Sequence, residues 1–286
     1  MSKKKRMSFG LIVVYAVLIF WALTTIYPIL WVIQNSFKAK DKILANSFAL
    51  PVGDLFTTAN FRKAFESIDI LGAYKSSLFI SSMVALLVVP LAGMGAYALA
   101  RYQFPGSNLI NSLVVGAMMF PAFATVISVF QMEFKWGIAN TGSWFLNMLS
   151  VILPQVAGNM AFAMVVLTGY IKGLPIELEE AAYMEGCSAF QIYFKVIMPL
   201  TKPSFATVAI FSFLWSYNDL FTQSFFLRRP DMYSITMMLN NISAKEGTDY
   251  GMMAAVVALI IVPVIIVYCC LQKQIIKGMI AGAVKG

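Results

Sequence analysis

ELEEAAYMEGCSAFQIYFKVIMP, residues 177–199, is a charged, amphipathic island between two long apolar segments. Pro175 suits the first turn of a helix, where a missing N–H costs nothing. Glu177, Glu179 and Glu180 follow in the first turns, where the helix dipole favours negative charge. Gly186 reads as a left-handed terminator. Ser188 with Gln191 three residues later has the spacing of a capping box for a second short helix. Phe190 and Phe194 share one face of that helix, and Pro199 and Pro203 bring it to a stop. The product is a helix–turn–helix with an exposed acidic and aromatic face. Taken locally, the pattern suits an interfacial connector as well as a docking element.

The flanks say what this island interrupts. Hydrophobic residues make up 60% and charged residues 12% of the 286, far from a soluble balance. A run of ~20 apolar residues crosses a ~30 Å hydrocarbon core. Six runs qualify, at about 11–33, 77–100, 109–131, 145–171, 203–226 and 252–271. The expectation is an all-α polytopic membrane protein with six transmembrane helices in one domain, 1–286. Lys3, Lys4, Lys5 and Arg6 precede a first run that is too long for a signal peptide and lacks a small-residue cleavage site. That basic cluster places the N-terminus in the cytoplasm, and an even span number brings the C-terminus back there. Outer loops then fall near 34–76, 132–144 and 227–251, and inner ones near 101–108 and 172–202.

Several chemistries are excluded. The chain has no histidine, which removes Ser-His and Cys-His nucleophile pairs and most zinc sites. It has no G-x-x-x-x-G-K-[ST] phosphate loop, so energy for active transport must come from a partner. Cys187, Cys269 and Cys270 have no metal-ligand spacing, and no metal site is expected. The net charge of +8 is dispersed among apolar spans, without the basic and aromatic groove that binds nucleic acid.

Polar and helix-breaking residues inside the spans point to a path. Pro121 interrupts the third run; Pro154, Gln155, Gly158 and Asn159 interrupt the fourth. Irregular backbone at membrane depth is tolerated where it is buried in protein or lines a wet cavity. Gln155, Asn159, Asn218, Asp219 and Gln223 would then offer hydrogen bonds to a hydroxyl-rich solute. Each also suits ordinary interhelical bonding worth ~1 kcal/mol. Asp219 is the one clear carboxylate within a span and would be the coupling group of an ion-driven carrier, the alternative reading, although such carriers use chains of such groups.

Glu180-Ala181-Ala182, three residues, Gly186, nine residues, then Val196-Ile197-Met198-Pro199 resembles the EAA loop of bacterial ABC-importer permeases. The departures are Val196 for the usual Ile and Met198 for the usual Leu. AYALARYQFPG (96–106), SYNDLFTQSFFL (216–227, with Tyr217 in place of a common Trp) and GMIAGAVKG (278–286) are similar to segments of the carbohydrate-uptake, maltose-type permeases of the G-subunit kind. The resemblance implies a type I importer permease fold in a bacterial inner membrane. It implies a heterodimer with a second, homologous permease, two ATP-binding cassette subunits that bind and hydrolyse the ATP, and an extracytoplasmic solute-binding protein delivering a sugar. The chain itself would then be no enzyme and hold no cofactor. Loop 172–202 would dock on the ATPases through Glu180, Ala181, Ala182, Gly186 and Pro199. The tail 272–286, with Gly282 and Lys285, would reach their interface. The outer loop 227–251, with Arg228, Arg229 and Asp231, would meet the binding protein.

Overall fold

The computed structural model describes residues 9–238, 240 and 249–283, the last turns by backbone alone. The N-terminal basic cluster therefore lies outside the described residues. Every regular element among the described residues is helical. They form two compact units, 1–68 with 239–262 and 69–238 with 263–286.

The first unit holds α1 (Phe9–Ser36), α2 (Lys40–Ala45), α3 (Ala59–Ser67) and α12 (Tyr250–Ala283) as far as Val262. The 28 residues of α1 extend about 42 Å, and its apolar window is wholly unburied within the chain. Such a helix is solvated by lipid or by another subunit. Beyond it, Lys38 is fully buried, and its ammonium donates to the carbonyls of Asn46, Ser47 and Ala49 at 3.1, 3.1 and 2.8 Å. All three of its donors are thereby used, while burial still lowers its pKa. Asn60 donates to the carbonyls of Ser36 and Lys38, both at 2.8 Å. A Cβ on Gly251 would lie 2.8 Å from that amide, so only glycine fits at the second position of α12.

The second unit is built on α4 (Ile70–Arg101) and α7 (Trp144–Lys172), with α10 (Lys202–Asn218) packed across them. Ile80, Val84, Val88, Ala92 and Ala96 are fully buried and fall every fourth residue along α4. Against this ridge pack Val151, Ala163, Leu167 and Ile171 of α7 and Phe205 and Val208 of α10. Small side chains at Ser76, Ser77, Ser81 and Ser204 are also buried, which lets helices approach as membrane helices must.

The six apolar runs do not form six uniform helices among the described residues. Among the described residues, four helices are long and apolar enough to cross: α1, α4, α7 and α12 over Tyr250–Cys269. The predicted third run is delivered as α5 (Ser107–Ala117) and α6 (Ala122–Lys135), each too short alone. Pro121 lacks a donor and is itself extended, with ψ 120°, so the ladder parts there. The predicted fifth run splits into α10 and α11 (Leu220–Phe226). Asp219 makes that break, leaving the helix and accepting the Thr222 N–H at 2.9 Å as the cap of α11. Pro154 was expected to interrupt its span but does not, because α7 runs through it. Packing against α4 and α10 holds the neighbouring turns in register.

Candidate functional site

The charged island folds as α8 (Glu177–Met184) and α9 (Ala189–Leu200). Glu177, Glu179 and Glu180 occupy the first turn of α8, but Pro175 lies two residues before it. Gly186 adopts φ +82°, the left-handed region. The capping box forms: the Ser188 N–H donates to Gln191 Oε1 at 2.8 Å, and the Gln191 N–H donates to Ser188 Oγ at 3.4 Å. Pro199 does not stop α9. The ladder widens into a π-turn over Tyr193–Ile197, with the Met198 N–H bonded to Tyr193 O, and the helix absorbs the proline. The chain turns by 81° at Thr201 instead, entering α10.

This loop has two faces. Glu180, Ala181, Gly186 and Pro199 are exposed, beside Tyr183, Met184 and Phe190 at 72%, 86% and 70% exposure. These side chains leave an apolar surface uncovered within the chain. Ala182, grouped with the docking residues by its motif, instead turns inward and is 9% exposed, alongside Ile192, Tyr193 and Ile197.

Glu179 was read only as a favourable charge at a helix start, yet it is buried. Its Oε1 accepts from Arg101 Nε, its Oε2 accepts from the Tyr97 hydroxyl at 3.1 Å, and Arg101 Nη2 also donates to Leu174 O at 2.9 Å. The available signal was helical phase, since Glu179 lies three residues before Ala182 on the same face of α8.

The second constellation lies midway along α7. A cavity of about 510 Å³ is lined by Gln155, Asn159, Ser216, Asp219 and Thr222, with Phe123, Trp215 and Phe221 around them. Ser216 Oγ donates to Gln155 Oε1 at 2.6 Å, Gln155 Nε2 donates to Asp219 Oδ2 at 2.9 Å, and Asn159 Nδ2 donates to Gln155 O at 2.8 Å. Asn159 Oδ1 is buried with no protein partner, an acceptor held ready for a donor from elsewhere. Two predicted path residues are not brought here. Asn218 is exposed and bonds Leu214 O within its own helix. Gln223 is wholly buried, donating to Ser216 O at 2.8 Å and so bracing the α10–α11 break. Sequence reasoning missed Trp215 and Ser216; their closeness to the flagged Asn218-Asp219 pair was the signal.

In the predicted outer loop, Arg229 makes two hydrogen bonds to Asp231, at 3.1 and 2.9 Å, and Arg228 lies over the Phe130 ring. The charges expected to steer a partner are thus largely engaged at home. Gly282 falls in the last turn of α12, and Lys285 lies outside the described residues.

Residues 89–280 match the family described as binding-protein-dependent transport system inner membrane component. The chain is 31% identical to the diacetylchitobiose uptake system permease protein NgcG of Streptomyces coelicolor, over 94% of this chain and 87% of that one. It is 29% identical to the galactooligosaccharides transport system permease protein GanQ of Bacillus subtilis, over 99% and 98%. A solved bacterial ABC transporter involved in the import of the acidic polysaccharide alginate shares the fold, with a TM-score of 0.79 at 22% identity over 96% of this chain and 98% of that one. The matched region takes in α8, α9 and the cavity beside Gln155 and Asp219 alike, and the chain belongs to the family of binding-protein-dependent inner-membrane components, as a permease of an ABC importer.

Proposed function

We propose that this permease moves neutral oligosaccharides, paired with a second, homologous permease and driven by two ATP-binding cassette subunits that bind and hydrolyse the ATP. A solute-binding protein delivers the sugar on the outer side, and the coupling loop and both termini face the cytoplasm. The observation that carries the reading is the exposed acidic and aromatic face of α8 and α9, set on a buried base. The carrier alternative loses its coupling group, because Asp219 is engaged as the cap of α11 and by Gln155.

The choice of a neutral sugar rests on the cavity and on the relatives. Aromatic faces with a few fixed polar groups are what an orienting ligand site needs, and no Lys or Arg lines this one. The relatives are named for diacetylchitobiose and galactooligosaccharides. Trp215→Ala should therefore cut uptake of labelled oligosaccharide about tenfold, or ~1.4 kcal/mol, while assembly with the cassette subunits is unchanged. Undiminished uptake removes Trp215 from the path.

Energy coupling gives the direct test. The purified chain alone should hydrolyse no ATP. Cells expressing the complex should keep importing labelled diacetylchitobiose, galactotriose or arabinotriose when a protonophore collapses the proton gradient, and stop when ATP is depleted. Uptake abolished by the protonophore at constant ATP would favour a carrier.

A further inference from the structure

The Arg101–Glu179 pair is the feature that docking alone leaves unexplained. Its side chains are only 10% and 9% exposed, and burying two charges is costly unless geometry and further hydrogen bonds compensate. Here they do: both carboxylate oxygens are used, and the guanidinium also holds the backbone at Leu174, just ahead of α8. Tyr97 and Arg101 stand one turn apart on α4, so a single face of that helix grips α8 from its inner side. The grip continues onto α9. The Tyr97 ring lies 5.6 Å from that of Tyr193, and Gly93 leaves room for the Tyr193 hydroxyl to pass.

At its other end α4 is also tied. The Ile235 N–H, in the predicted outer loop, donates to Ser77 Oγ at 2.9 Å. Between the two ties, from Ser77 to Arg101, the helix runs about 36 Å, packed along a continuous buried ridge. A packed rod tied at both ends carries a displacement from one to the other.

We infer that Arg101, Glu179 and Tyr97 form the joint through which the coupling loop moves α4, and are positioning residues for transport rather than docking residues. This rests on the reading that the exposed face of α8 and α9 docks on the ATPase subunits. Glu179 thus differs in kind from its neighbour Glu180: one carries the motion inward, the other meets the partner.

The test uses the whole complex, purified through a tag on this chain and reconstituted with its binding protein. Uptake of the labelled oligosaccharides above is read per ATP hydrolysed. Arg101→Met with Glu179→Leu replaces the pair by apolar side chains, a change that leaves packing sound. It should assemble with the cassette subunits at normal yield yet lose at least tenfold in uptake per ATP. Glu179→Gln should do the same more mildly, and Tyr97→Phe, which removes one hydroxyl and keeps the ring, should lose two- to threefold. Arg101→Glu with Glu179→Arg should recover at least half of the coupling. Normal uptake per ATP in the apolar pair and in Tyr97→Phe overturns the joint, as does loss of the cassette subunits from Glu179→Gln. Should the apolar pair fail to assemble, Tyr97→Phe decides alone. A wild-type chain that brings down no ATP-hydrolysing subunit would instead defeat the docking reading itself.

Discussion

Glu180→Lys is expected to strip the ATPase subunits from the permease while leaving the permease inserted and folded. The side chain is exposed at the start of α8 and makes no contact that holds the chain together. Its reversal therefore acts on the partner alone, and a charge reversal at a complementary interface costs a factor of ten or more in affinity. Gly186→Asp should reach the same result by another route. A Cβ there meets open space, so crowding is not the cause. The cause is φ +82°, which costs an L-residue about 1–2 kcal/mol and reorients α9 against α8. The measurement is recovery of cassette subunits with tagged permease from detergent-solubilised membranes, at equal permease yield. Full recovery in both variants would remove the docking role.

Gly93→Ala is expected to lower stability most among single-methyl changes in the second unit. The new Cβ would sit 2.3 Å from Tyr193 Oη and 2.6 Å from the Phe205 ring. Neither ring can swing aside, since Tyr193 is 2% and Phe205 6% exposed. Overpacking of this kind costs about 1–3 kcal/mol or more. It falls where α4 meets the coupling loop, so assembly with the ATPases should suffer too. Two controls sharpen the reading by thermal unfolding of the purified permease. Gly95→Ala meets only the end of Met164, whose Cε is 2.8 Å away and free to move, and it should be tolerated. Tyr193→Phe combined with Gly93→Ala should recover part of the loss, because the hydroxyl it deletes is buried without a hydrogen-bond partner. Equal Tm values for Gly93→Ala and Gly95→Ala would contradict the packing argument.

The exposed half of α8 and α9 was legible in the chain because its determinants are local. A capping box three residues apart, a glycine where the backbone turns left-handed and acidic residues in a first turn each act on neighbours, so spacing alone reveals them. The same holds for apolar composition and for Pro121, whose missing N–H falls where the helix parts. Pro154 and Pro199 show the boundary of that logic. Both sit inside continuous helix, one because packing against α4 and α10 keeps α7 in register, the other because a π-turn widens the ladder ahead of it.

By itself, then, the sequence determined that this is a helical membrane protein of the importer-permease kind. Only the tertiary structure decided which polar residues do what. Glu179 and Glu180 are adjacent and chemically identical, yet one is sealed against Arg101 and Tyr97, some 80 residues away in the chain, while the other faces outward. Gln155, Asn159 and Asp219 share a cavity with Trp215, whereas Asn218 and Gln223, from the same motif, point elsewhere. A side chain's direction depends on helical phase and on where each break falls, and those are set by packing between segments far apart in the chain.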